Sequence, residues 1–378
     1  MKYQKINKLV LFRFISIWDQ RFKYESLVNV FSILITTICT FSVIIILSVN
    51  DGFKKNIVNI LTDLNGHKRI YPDEYLSLSE FDYQQITSIY KDQFKISRFH
   101  TKKCIVKTSQ NSEAMLWMST NKDDYFFENI KKYLVDGILT DSTVVVGDLF
   151  LEKYDLKVGD YLSFFVFKDN FVESSYKFQV SGSFKTNIPD YDSHLILSTY
   201  NLFDDEMEFE YFQINDFENT VSLDKINKKY LINDASEINS SFYQWLNSYD
   251  NPIKLLVFFI VVIALLNIIN NNYYLLYYKK KQINILLSLG MKNVSLKTII
   301  VIRSSLYSII GCLAAILLAY LFMYLQSNYY LIPLPGYVYF TEHLPVQINF
   351  YYILFIFPFV LTAAFLSSIL NYNLVSYE

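Results

Sequence analysis

Cysteine, histidine spacing and catalytic signatures are all scarce in this chain. Of its 378 residues, 3 are cysteine, namely Cys39, Cys104 and Cys312. Only Cys104 lies in the long polar middle, so that region cannot close an internal disulfide and must be held by its own core. His67, His100 and His194 stand far apart without metal-ligand spacing, and a single cysteine cannot build a zinc site. The acidic run Asp204, Asp205, Glu206, Glu208 and Glu210 lacks the glycine and alternating ligands of a calcium loop, and reads as a solvated face. No G-x-S-x-G and no G-x-x-x-x-G-K-[ST] occurs, which excludes ATP hydrolysis by the usual P-loop route. Net charge is −2, so global charge implies no nucleic-acid partner. No catalytic residue and no metal ligand can be assigned.

Long apolar runs are what the chain does have. Hydrophobic residues make up 52% and the mean hydropathy is +0.20, values that fit a mixture of membrane and soluble parts. An unbroken run from Leu27 to Val49 spans roughly 34 Å as a helix, enough for a bilayer core. It is too long and starts too far in for a cleavable signal peptide. Three further runs follow at 252–278, 299–325 and 350–371, with an insert of domain size at 50–251. The remaining segments are a basic, aromatic start (1–26), two short loops (279–298 and 326–349) and a tail (372–378).

Lysine and arginine placement sets the expected orientation. Lys2, Lys5, Lys8, Arg13, Arg21 and Lys23 precede the first run. Lys279, Lys280, Lys281, Lys292 and Lys297 lie between the second and third, whereas 326–349 contains neither residue. Both termini are therefore expected in the cytoplasm and the insert outside it. Lys8–Trp18 reads either as a helix lying in the interface or as a loose basic flank.

Within the insert, helical and strand patterns alternate, which predicts an α+β domain. Strands are expected at Lys103–Thr108, Ala114–Met118, Thr143–Val146, Tyr161–Phe167, Tyr176–Val180 and Leu195–Leu197. A short helix is expected at Gly147–Tyr154. The first crossing should continue as helix through Phe53–Leu64, and helical pattern between Glu237 and Trp245 should lead into the second as a stalk.

Two segments carry functional pattern. In Lys279–Lys297, Ile283, Leu286 and Leu287 form an i, i+3, i+4 stripe that stops at Leu289-Gly290. Such a helix suits either docking into a cytoplasmic partner or resting on lipid headgroups. Small residues also recur: Ser304, Ser308, Gly311, Ala315 and Ala319 on the third crossing, and Ser32, Thr36 and Thr40 on the first. The former stripe predicts close helix packing. Arg303 is expected to snorkel to the interface.

Several stretches resemble, in order, the permease subunits of lipoprotein-releasing ABC transporters (the LolC/LolE family among MacB/FtsX-like permeases). They are SLVNVFSILITTICTFSVIIILSVNDGFKKNI (Ser26–Ile57), VVVGDLFLEKYDLKVGDYLSFF (Val144–Phe165), FQVSGSFKTNIPDYDSHLILS (Phe178–Ser198), NILLSLGMKNVSLKTI (Asn284–Ile299) and EHLPVQIN (Glu342–Asn349). The third is similar to a strand–loop–strand in which Tyr191-Asp192-Ser193 precedes the second strand. Gln282 stands where the family usually has an acid.

The resemblance implies a fold of four transmembrane helices with a large α+β periplasmic, MacB-like core domain between the first and second, in a bacterial inner membrane. It implies no cofactor in this chain, ATP and Mg being bound by a LolD-like cytoplasmic ATPase dimer. That dimer would couple through Lys281, Gln282, Ile283, Leu286, Leu287, Leu289 and Gly290. A second permease subunit, identical or related, a lipoprotein cargo, membrane lipid and a LolA-like periplasmic carrier are the other implied partners. Cargo is expected to face Ser32, Thr36 and Thr40. An FtsX- or MacB-like mechanotransmission permease that regulates a periplasmic partner or exports another substrate, or a non-transporting sensor or scaffold, are the alternatives.

Reporter fusions test the orientation. Those within 51–251 should report an extracytoplasmic site and those within 279–298 a cytoplasmic one; the same side for both would remove the assignment.

Overall fold

The computed structural model describes residues 23–73, 78–90, 93–108, 111–168, 171–199, 209–216, 223, 226 and 229–377. The expected interfacial helix at Lys8–Trp18, and Asp204, Asp205, Glu206 and Glu208, lie outside them. The chain divides into two compact units. A helical unit takes the described parts of Met1–Phe53, Asn247–Ile332 and Leu344–Glu378; a sheet unit takes Lys54–Leu246 and Pro333–His343.

Helix α1 (Lys23–Asn65) contributes to both units. It contains no proline, and its single glycine, Gly52, sits where a Cβ would collide with the Pro345 carbonyl. In the sheet unit its last turns place Ile57, Ile60, Leu61 and Leu64 on one side, the spacing of a single buried stripe.

The sheet unit continues through β1 (Lys68–Pro72), α2 (Glu80–Tyr90), β2 (Lys95–Lys107), β3 (Ser112–Thr120), α3 (Tyr125–Ile130), β4 (Leu134–Gly137), β5 (Thr143–Gly147) and α4 (Asp148–Tyr154). Then come β6 (Tyr161–Lys168), β7 (Phe171–Phe184), α5 (Pro189–His194), β8 (Leu195–Thr199), β9 (Tyr211–Asn215), β10 (Tyr230–Asp234), α6 (Ala235–Ile238) and α7 (Ser240–Ser248). Among the described residues these strands form a 10-stranded sheet in the order β10-β1-β9-β2-β3-β8-β5-β7-β4, with β6 paired to β2 and β7. β3 with β8 and β5 with β7 are parallel; the other pairings are antiparallel.

Side-chain alternation lets the central strands serve two cores. Val145, Met118, Leu195 and Leu197 join Phe99, Phe126, Phe184 and the α1 stripe. Val144, Val146, Trp117 and Ile196, one residue out of step, join Phe150, Phe164 and Val180 on the opposite face. Strands covered on both faces read as continuous apolar runs, as VVV and LIL do here. A third core gathers Ile70, Ile86, Phe212, Ile214 and Tyr230 around β1, β9, β10 and α2.

Strands β1, β4, β9 and β10 and helices α2, α3 and α5 have no counterpart among the sequence expectations. KRIYP in β1 has one fully buried residue, Ile70, and β9 buries Gln213 and Asn215 along with its apolar residues. Such short, mixed segments carry no readable period. In place of a plain loop before β8, α5 opens with a proline in its first turn. Buried Asp192 accepts hydrogen bonds from Thr186 N (2.8 Å), Thr186 Oγ1 (2.8 Å) and Asn187 N (2.9 Å).

The helical unit resumes at α8 (Asp250–Ser288) and α9 (Asn293–Tyr329). After α10 (Gly336–Tyr339), which belongs to the sheet unit, it closes with α11 (Tyr351–Tyr377). Together with α1, the described residues contain 4 helices long and apolar enough to cross a membrane. Their outward residues include Leu255, Leu256, Phe258 and Phe259, a surface that hydrocarbon solvates and water would not.

Asp82 gives the sheet unit an acid-sensitive point. Burial alone would raise its carboxyl, but hydrogen bonds from Lys229 Nζ (2.7 Å), the Tyr230 hydroxyl (2.5 Å) and Ser79 Oγ (2.7 Å) outweigh burial and hold it well below the usual carboxylate range. A depressed folded-state pKa contributes stability above the unfolded value, about 4, that is lost as pH falls below it. Hydrogen exchange in α2, corrected for intrinsic rates, should accelerate on acidification, and Asp82→Asn should flatten that response. An unchanged profile in the variant would exclude Asp82 as its origin.

Candidate functional site

The predicted packing stripe occupies the middle of the helical unit. Ser304, Ser308, Gly311 and Ala315 are all buried on α9. Thr37 Oγ1 donates to the Gly311 carbonyl at 3.1 Å, and a Cβ on Gly311 would stand 3.1 Å from both the Ile33 carbonyl and Thr36 Cβ. Any larger residue at Gly311 would press on α1 and force it to shift by a few tenths of an ångström. Beside it, Asn272 Nδ2 donates to Ser304 Oγ and Ser367 Oγ at 3.0 Å, with Ser368 Oγ at 3.3 Å, tying α8, α9 and α11 together. Asn371 Nδ2 donates to the Ile269 carbonyl at 2.8 Å. In lipid such groups have no water to turn to, so each side chain is satisfied by another helix.

Two expectations are overturned at this seam. Arg303 does not snorkel: it is 3% exposed, and its Nη2 donates to Asn29 Oδ1 at 2.8 Å and its Nε to the Tyr307 hydroxyl at 3.3 Å. A hydrogen-bonding partner on α1 and another one turn along α9 hold the guanidinium inside. Nor do Ser32, Thr36 and Thr40 form an open face for cargo. All three are buried, with Asn267 Nδ2 donating to the Ser32 carbonyl at 3.2 Å. Small polar side chains permit close helix approach, and that packing uses them up. The outward residues of α1 are Leu27, Phe31, Leu34 and Ile38. Thr40 does line a crevice with Cys39, Val43, Ala264, Ile268 and Val360, but its volume is about 60 Å³, far below the usual size of a ligand pocket.

The segment expected to engage an ATPase forms an elbow. Helix α8 runs through Lys281 and Gln282 and stops at Ser288. Gly290 N then donates to the Leu287 carbonyl (2.9 Å) and Met291 N to the Leu286 carbonyl (3.1 Å). Gly290 has φ +87°, the left-handed conformation that glycine adopts without strain. Ile283, Leu286 and Leu287 turn inward against Leu276, Leu296, Ile300 and Tyr372, so the apolar stripe is the inner face of the α8–α9 hairpin. This corrects the expectation of a stripe free for docking. Lys281, Gln282, Ile285, Leu289 and Val294 are left outside, with Ile285 60% and Leu289 76% exposed.

The sheet unit offers no catalytic set among the described residues, and no group of three or more His, Cys, Asp or Glu is placed to hold a metal. Burial pushes the Cys104 thiol up to about 12, which leaves it unreactive. His194 Nε2 lies 3.5 Å from Glu113, and the buried Arg98 joins Asp124 (2.7 Å) to Glu80 (2.8 Å). Glu210 accepts a hydrogen bond from Thr101. These are structural ties on a folded domain.

Residues 254–377 match the model of the FtsX-like permease C-terminal family, about a third of the chain. No curated protein matches. Among solved structures, the periplasmic region of MacB from Actinobacillus actinomycetemcomitans aligns at 11% identity and a TM-score of 0.33, over 47% of this chain and 92% of that one. The extracellular domain of the noncanonic ABC-type transporter YknZ from Gram-positive bacteria aligns at 12% identity and a TM-score of 0.30, over 43% of this chain and 86% of that one.

The seam predicts a cost for its removal. Asn272→Ala deletes the amide shared among three serines and should destabilise the purified protein by about 1–2 kcal/mol, read by steric trapping in lipid discs. Stability equal to the parent's would show that the amide contributes nothing.

Proposed function

We propose that the chain is the non-catalytic permease subunit of an ABC transporter. It works with a separate cytoplasmic ATPase dimer, which binds the ATP and Mg, and with a second permease subunit, identical or related. The observation that carries this reading is the family match over residues 254–377, the stretch that holds α8, α9 and α11. No phosphate-binding loop occurs in these 378 residues, and on this reading ATP hydrolysis falls to the partner.

The mechanism starts at the elbow. The ATPase seats on Ile285, Leu289 and Val294, and nucleotide-driven closure pushes on the ends of α8 and α9. Because Ile283 and its neighbours lock these helices together, they move as a unit. The chain lies in a bacterial inner membrane with its termini in the cytoplasm and the sheet unit in the periplasm. Its cargo is a lipoprotein taken from the outer leaflet and passed to a LolA-like carrier, a finer assignment supported by the ordered motif resemblance.

One observation favours a second reading. The buried face of Ser32, Thr36 and Thr40 and the small crevice beside it offer no groove for an acyl chain within one copy. Transmission of force to an extracytoplasmic partner, in the FtsX or MacB manner, needs no such groove. Photocrosslinkers at Phe31, Leu34 and Ile38 distinguish the two: lipoprotein adducts support release, and their absence during turnover supports transmission.

Tagged protein trapped with a nucleotide analogue in native membranes tests the docking surface. Ile285→Asp combined with Leu289→Asp should lower ATPase recovery at least about tenfold, a loss of ~1.4 kcal/mol, without loss of folded permease. Ile283→Asp should instead reduce the yield of folded protein. Full ATPase recovery with the double variant would eliminate the elbow as the docking site.

A further inference from the structure

The sheet unit contains an open cavity of about 400 Å³, within the size range of small-molecule sites. Three separate stretches of chain supply its walls: Asp190 at the start of α5, Phe242 and Trp245 on α7, and Tyr337 and Phe340 from α10 and its end. The rings meet nearly at right angles. Trp245 and Phe340 have centroids 5.4 Å apart with planes at 80°, and Phe242 and Phe340 are 6.3 Å apart at 74°. Both contacts are edge to face, the edge of one ring meeting the face of the other, and Trp245 remains exposed beside the cavity. The negative face of an aromatic ring attracts a cation, most strongly for tryptophan.

The charges around the corner have the matching sign. Among the described lining residues, Asp190 is the one charged side chain, and it is exposed. Lys185 lies 5.5 Å from the Tyr337 ring centre, but its Nζ is paired with Glu342 at 2.7 Å, which neutralises it. Burial and the nearby charges of Asp192, Asp148, Glu152 and Glu342 raise the Tyr337 hydroxyl pKa, so this wall stands in a negative field. The Tyr337 hydroxyl and Asn187 Oδ1 are both buried without a hydrogen-bond partner.

The geometry points to a binding site for an alkylammonium group, seated against Phe242, Trp245 and Phe340 with Asp190 as its counter-ion. An uncharged apolar group would fit the rings but leave Asp190 unused. A lipid headgroup and a soluble amine share the required chemistry, and the experiment separates them.

Full-length protein in phosphatidylglycerol discs, which lack an ammonium headgroup, is titrated with choline, and binding is read by saturation-transfer NMR on the choline methyl protons. Binding should saturate. Asp190→Asn and Trp245→Leu should each weaken it at least about fivefold, while Trp245→Tyr retains it. Neohexyl alcohol, the uncharged carbon isostere, should not compete. In discs containing phosphatidylcholine or phosphatidylethanolamine, competition with free choline identifies the headgroup as a source, and undiminished binding identifies a soluble amine; either result retains the site. Absence of saturable binding, equal binding of the alcohol, or binding untouched by Asp190→Asn, a substitution at an exposed side chain, overturns the proposal.

Discussion

Hydrocarbon offers no hydrogen-bond partner, and the buried amides and the guanidinium of the helical unit are placed accordingly. Asn272 binds serines on two other helices, and Asn371 reaches a backbone carbonyl across α8. Arg303 finds Asn29 on α1 and Tyr307 on its own helix. These contacts need close helix approach, and Gly311 with its serine and alanine neighbours on α9 provides it. The same demand consumes Ser32, Thr36 and Thr40, which become packing residues instead of a cargo surface.

The sheet unit follows a different rule, since its backbone can pair strand to strand and its exposed side chains can meet water. Covering β3, β5 and β8 on both faces yields two cores from one set of strands, with alternate residues assigned to each. Its ionic groups serve as ties: Arg98 between two carboxylates, and Asp82 between Lys229 and Tyr230. The aromatic corner at Trp245 and Phe340 departs from that pattern, because its rings line an open cavity at the margin of the core that Phe340 packs against.

A division of labour follows from these two environments. The helical unit presents an apolar elbow where α8 turns into α9, and its interior is locked by hydrogen bonds and small residues. The proposed transmission of force rests on that pairing of an exposed patch with helices locked behind it. The FtsX-like match covers α8 to α11, the helices that form the elbow and most of its backing.

The sequence alone determined the elements whose physics is local and strong. Four long apolar runs appear as four long helices. The VVV and LIL runs mark strands covered on both faces, and Leu289-Gly290 marks a helix stop, since only glycine takes a left-handed turn there without strain. Short mixed strands such as β1, β9 and β10 were not legible: β1 and β10 each bury a single apolar side chain, and β9 buries polar Gln213 and Asn215 beside its apolar residues, so none has a period to detect. Which way a face points was decided only by the tertiary structure. Ile283, Leu286 and Leu287 have the spacing of a docking stripe and of an inner packing face alike, and contact with Leu296 and Ile300 on α9 selects the second. Arg303 likewise reads as an interface residue until Asn29, distant in the chain, is brought beside it. The aromatic corner needed three remote segments to meet, and no spacing within any one of them could announce it.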